Sequence, residues 1–123
     1  MEYRIREIKE EEIVELHRFL YLAIYVHKGE TPPPFDIIYK PELQVYVDNL
    51  GKEKDDHILV AEAENRIVGA VWVRIMDDYG HIDDDTPSLI ISVEKEYRGK
   101  GIGSSLLSAM LSLLSDLGYK SVS

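Results

Sequence analysis

Three glycines at alternate positions, in Arg98-Gly99-Lys100-Gly101-Ile102-Gly103, give this chain its clearest capacity for chemistry. Without β-carbons in the way, backbone N–H groups can crowd together and a ligand can approach the main chain closely. A leucine-rich helical pattern follows at once, so a helix begins at the turn and its first N–H groups point back into it unpaired. The positive end of the helix dipole adds to them, and an anion suits that place. Arg98 and Lys100 can add charge at the rim. A tight strand-to-helix connection would need one glycine; three point to a cradle for the pyrophosphate of a nucleotide-like cofactor.

Common phosphate motifs fit poorly. A Walker-A loop needs Gly-Lys followed by Ser or Thr, and here Gly101 follows Lys100. A dinucleotide fingerprint counted from Gly99 and Gly101 needs glycine where Ser104 stands. A kinase glycine loop joins two strands, whereas this turn leads into a helix.

The elements that position the turn follow from periodicity. Tyr3 to Ile8 alternates as a short strand. Glu10, Glu11 and Glu12 open a helix whose apolar stripe is Ile13, Leu16, Leu20 and Ile24, and which ends by Gly29. Pro32 to Pro34 hold the chain extended. Pro41 starts a second helix with Leu43, Tyr46, Val47 and Leu50 on its apolar side, and Gly51 ends it. His57 to Glu64 and Ile67 to Met76 read as a hairpin turning at Asn65-Arg66, the second strand apolar enough to lie centrally. An acidic loop, Asp77 to Asp85, precedes a strand at Ser88 to Val93. After the glycine turn, Leu106, Met110, Leu113 and Leu117 mark a helix that Gly118 closes. Tyr119 to Ser123 begins another strand, so strand, turn, helix and strand form a parallel crossover. No repeat or linker divides the 123 residues, which suit one domain.

Composition narrows the function classes. Lys+Arg of 14 against Asp+Glu of 23 gives 14 − 23 = −9, a field that repels nucleic acid and favours a cationic partner such as an amine. With no cysteine there is no disulfide, thiolate metal site or cysteine nucleophile. The four histidines are dispersed, and the acidic loop lacks the EF-hand pattern, so no metal is expected. No apolar run reaches the roughly 18 residues of a membrane span, and Met1 is not followed by a secretory apolar region. A cytoplasmic protein is the expectation.

The segment Ser88-Leu89-Ile90-Ile91-Ser92-Val93-Glu94-Lys95-Glu96-Tyr97-Arg98-Gly99-Lys100-Gly101-Ile102-Gly103 closely resembles motif A of the GNAT N-acetyltransferases. Their pattern, [Arg/Gln]-x-x-Gly-x-[Gly/Ala], is met by Arg98, Gly101 and Gly103. The preceding hairpin, and the N-terminal strand followed by two helices, match the family order. The resemblance implies an α/β fold with a mixed, mostly antiparallel sheet and helices on both faces. It implies that backbone N–H groups of Arg98, Gly99, Lys100, Gly101, Ile102, Gly103 and Ser104 bind the pyrophosphate of acetyl-CoA. Ile91, Ser92 and Val93 would offer backbone hydrogen bonds to the pantetheine arm. Lys95 replaces a frequent proline at the surface of the turn. The family also continues past Tyr119 with a helix and strands that carry a tyrosine general acid. This sequence lacks that section: a fragment is expected, with a site completed by another chain as the alternative.

By the same resemblance, acetyl passes directly to a primary amine, which must first lose a proton to a base. Asp85 stands near the family's acidic position; Asp83, Asp84 and His81 are alternatives, and a solvated acidic loop is the plain reading. Glu94 reads as a surface residue. A backbone N–H of the strand carrying Val93 would polarise the thioester carbonyl. The region His27 to Lys40 would line the acceptor pocket, with Phe35 and Tyr39 on an apolar part and Glu30 or Asp36 on the amine. The competing function is a non-catalytic acyl-CoA-binding module. An uncovered sheet edge also admits a homodimer.

Overall fold

The structure is a computed structural model describing residues 2–24, 34–48, 50, 56–74 and 88–119. Four strands, β1 (Arg4–Glu7), β2 (His57–Ala63), β3 (Arg66–Arg74) and β4 (Ser88–Val93), lie in chain order in one antiparallel sheet. Helices α1 (Leu16–Ala23) and α2 (Pro41–Gln44) belong to one face and α3 (Ile102–Asp116) to the other. This is the mixed α/β class with helices on both faces that the sequence implies. The strand expected from Tyr119 onward, and with it the parallel crossover, lies outside the described residues apart from Tyr119 itself.

Alternation sorts β4 and much of the neighbouring sheet between two cores. Trp72, Ala70, Val60 and Ile90 face Leu16, Phe19, Leu20 and Ile38; Val71, Val73, Leu59 and Val93 face Leu106, Met110 and Leu114. Gly69 lets α3 approach: a β-carbon there would stand 3.0 Å from Leu106 Cδ1 and 3.2 Å from Val93 Cγ2. Ala61 pairs with Gly69 but Glu62 with Ile67, which leaves Val68 as a bulge residue on β3. The hairpin forms one residue earlier than expected. Ala63 pairs with Arg66 across Glu64 and Asn65, whose φ values of 53° and 65° suit a two-residue primed turn.

The first helix is also less regular than its stripe suggests. Glu10–Glu15 is a 3-10 turn, and α-helix starts only at Leu16. Glu12 has other obligations: its carboxylate accepts from both terminal nitrogens of the Arg6 guanidinium at 2.9 Å and from the Lys9 N–H at 2.9 Å. The second helix stops at Gln44, short of Leu50, because the next carbonyls are captured from β3. Trp72 Nε1 donates to the Tyr46 carbonyl at 2.8 Å, and Arg74 donates to those of Val45 and Asp48 at 3.1 and 2.8 Å. At the other end, Gly118 closes α3 with φ +94°, as its position implies. No helix among the described residues is long and apolar enough to cross a membrane.

The Arg6 hydrogen bonds, backed by the Lys9 N–H, pull the Glu12 carboxyl down to about 2 from an ordinary 4.5. A depressed carboxylate stabilises the fold above its unfolded pKa, and that contribution disappears as pH falls through the folded value. Glu12→Gln should therefore cost about 1–2 kcal/mol at pH 7, less than the full shift because the pair is partly solvated. The gap between wild type and variant should close between pH 4.5 and 2 in urea melts. A gap independent of pH would exclude the depressed ionisation of the Glu12 carboxylate as its source.

Candidate functional site

β4, the glycine turn and α3 form one continuous surface. Glu94 donates its N–H to the Val68 carbonyl at 2.8 Å, which sets the phase of the β3–β4 ladder. With Ser92 opposite Ala70 and Ile90 opposite Trp72 in hydrogen-bonded pairs, the N–H and C=O groups of Leu89, Ile91 and Val93 point to the other edge. Among the described residues no strand covers that edge. Ser92 needs correction: its main chain faces β3, and its hydroxyl donates to the Phe19 carbonyl at 2.7 Å. It pins α1 to β4 and offers nothing at the open edge.

Past β4 the chain makes a short 3-10 turn, Lys95–Tyr97, before the glycines. The Arg98 N–H bonds the Lys95 carbonyl at 3.3 Å, so it is committed to this turn and is not a free donor. The Arg98 side chain instead bends back, and its Nε donates to the Val93 carbonyl at 2.8 Å. Gly99 and Gly101 have φ +78° and +85°, values that disfavour any residue with a β-carbon. The N–H groups of Gly99, Lys100, Gly101, Ile102, Gly103 and Ser104 have no hydrogen-bond partner among the described residues; the first to turn back is Ser105, to the Gly101 carbonyl at 3.0 Å. A β-carbon at Gly99 would have no neighbouring atom within 4 Å. The turn is thus an open concavity of donors at the head of a fifteen-residue helix.

Several props of this turn were not evident from its motif. Tyr3 reaches across from beside β1, its hydroxyl 2.7 Å from Ser105 Oγ and donating to the Gly101 carbonyl at 3.4 Å. Tyr97 is buried, and its hydroxyl donates to Glu64 at 2.8 Å, which anchors the turn to the hairpin tip. Glu94 also corrects its expectation. It is only 6% exposed and carries hydrogen-bonded ion pairs from Arg18 of α1 and Arg66 of β3. Counting the alternation one residue past β4 puts Glu94 on the face of Ile90 and Ser92, against α1; that is the signal for its burial.

A cavity of about 340 Å³ lies between α1, the α2 region and β4, bordered by Leu20, Ile24, Leu43, Tyr46 and residues 89–91. Phe35, Tyr39 and Asp36, expected at an acceptor, have other surroundings. Phe35 packs on Tyr21 with ring centroids 5.3 Å apart, Tyr39 stacks on His17 at 6.1 Å, and Asp36 is exposed. None borders the cavity. Asp85, Asp83, Asp84, His81 and Glu30 lie outside the described residues.

Residues 54–122 match the model of the acetyltransferase (GNAT) domain. A GNAT-family acetyltransferase from Streptococcus pneumoniae superposes with a TM-score of 0.66 at 22% identity, over 96% of this chain and 70% of the other. A GCN5-related N-acetyltransferase from Ralstonia eutropha JMP134 gives 0.74 at 13%, over 99% and 82%. A GNAT-family acetyltransferase from Brucella melitensis, solved in complex with acetyl-CoA, gives 0.66 at 18%, over 98% and 73%. No curated protein matches the chain. At such identities these structures establish the fold, while the domain match spans more than half of the 123 residues. The chain therefore belongs to the GNAT acetyltransferase family.

Proposed function

We propose that this chain transfers an acetyl group from acetyl-CoA to a primary amine by direct attack. The observation that carries this reading is the run of unpartnered N–H groups from Gly99 to Ser104, continuous with the open edge of β4. Such donors, fixed before the ligand arrives and reinforced by the α3 dipole, suit a diphosphate. Lys100 and the outer nitrogens of Arg98 supply positive charge at its rim. Ile91, with both main-chain groups at the edge, and Val93, through its N–H, hold an extended arm as an added strand would.

Bound acetyl-CoA supplies an activated thioester, so no covalent enzyme intermediate is required. An edge N–H of β4 polarises the acetyl carbonyl where charge develops. A base must take a proton from the ammonium form of the acceptor, and Asp85 is proposed for it on the family resemblance. The neutral amine then bonds to the acetyl carbon, the C–S bond breaks, and the departing CoA thiolate takes up the proton that the new amide nitrogen gives up. The field of a chain with net charge −9 favours the approach of a cationic acceptor.

Calorimetry with acetyl-CoA, CoA and ATP tests the reading. Both CoA compounds should bind and ATP should bind at least tenfold more weakly. Thiol release with an amine panel then reports transfer. Absence of heat with either CoA compound would overturn the cofactor assignment. Binding without thiol release across the panel would identify an acyl-CoA-binding module.

A further inference from the structure

We propose that the acceptor is a small primary monoamine carried on an apolar body, seated in the cavity between α1, the α2 region and the edge of β4. This rests on the transferase reading above and names its substrate class. Position is the first argument. The strand advances ~3.4 Å per residue, so one edge runs from Val93, beside the glycine turn, to Ile91 and Leu89 at the cavity. An arm laid along that edge from the turn brings its far end to the cavity mouth. An acceptor body inside the cavity then places its amine at that end.

The lining decides the chemistry. Leu20 and Ile24 come from α1 and its C-terminus, Leu43 and Tyr46 from the α2 region, and Ile90 from β4. The described lining is apolar, built of aliphatic side chains and the Tyr46 ring. Against that wall a body bearing several ammonium groups would have to shed their water. An aromatic ring or branched alkyl group gains contact with the leucines and the Tyr46 ring without that penalty. Size agrees: about 340 Å³ is near the lower end for small-molecule sites, enough for one ring and its linker.

The full chain should be assayed with phenethylamine and isoamylamine against spermidine, sisomicin and a lysine peptide. Amine binding to the protein, with and without CoA, is measured by calorimetry in parallel. The two apolar monoamines should show kcat/KM at least tenfold above every other amine and bind correspondingly tighter. Ala23→Glu places a carboxylate at the cavity border, on an exposed position that tolerates it. It should cut kcat/KM for phenethylamine at least tenfold, raise it for spermidine, and leave the CoA Kd within twofold. Equal or better use of spermidine, sisomicin or the peptide by the unaltered chain overturns this inference while sustaining transfer. Silence in thiol release overturns transfer, and the binding measurements then decide the cavity alone. Selective binding of the monoamines upholds the assignment, and its absence rejects it.

Discussion

Gly101→Glu is expected to raise the Kd for CoA at least a hundredfold while the chain remains folded. Gly101 sits at φ +85° immediately before α3, among the donors assigned to the pyrophosphate. Space is not what the substitution offends, since a β-carbon there would come no nearer than 4.0 Å, to the Tyr3 hydroxyl. Two effects remain. A side chain in the left-handed region costs about 1–2 kcal/mol. A carboxylate at a helix N-terminus returns about 0.3–1 kcal/mol by meeting the dipole. The same carboxylate then occupies the position of the incoming diphosphate and repels it, and a hundredfold loss corresponds to about 2.7 kcal/mol. Gly101→Ala separates the contributions. It keeps the backbone strain without charge, so thermal stability should fall by several degrees and CoA affinity by less than tenfold. Calorimetry on both variants, with circular dichroism to verify folding, makes the comparison. Unchanged CoA affinity in folded Gly101→Glu would remove the cradle from this turn.

How far the residues announced this arrangement depends on the range of the interactions. β4 and the start of α3 follow from local pattern, and the structure has them where the apolar run and the glycine spacing place them. Gly99 and Gly101 are equally local, since a positive φ is a property of the turn itself. What the pattern concealed lies far apart in sequence. Tyr3 meets Gly101 and Ser105 only because β1 ends up beside the head of α3. Glu94 reads as solvated until α1 brings Arg18 and the hairpin brings Arg66 to it. The early stop of α2 has the same origin: Trp72 and Arg74 compete for carbonyls that a helix would use. Ser92 illustrates a different gap. A motif gives its neighbourhood, but only the phase of the ladder tells which main-chain groups face β3 and which face the open edge.

The ladder that orients β4 also ties the proposed acceptor cavity to the core, and Trp72 is the place to test that. Trp72 has no solvent exposure, lies among Leu16, Phe19, Ile38 and Leu50, and pairs with Ile90 across the sheet. Trp72→Ala removes most of that side chain and should cost about 3–5 kcal/mol, a large part of the ~5–15 kcal/mol typical of a domain. As Trp72 is the single tryptophan, urea unfolding must be followed by circular dichroism. Trp72→Phe is the informative partner. It retains a ring but leaves the Tyr46 carbonyl without its indole donor, for about 1–2 kcal/mol. Tyr46 borders the cavity on one side and Ile90 on another, whereas the glycine turn begins beyond the opposite end of β4. Trp72→Phe should therefore raise KM for phenethylamine several-fold and leave the Kd for CoA unchanged. Parallel losses in both would mean that the indole supports the whole sheet rather than the cavity wall, and the separation of acceptor and cofactor sites along β4 would have to be abandoned.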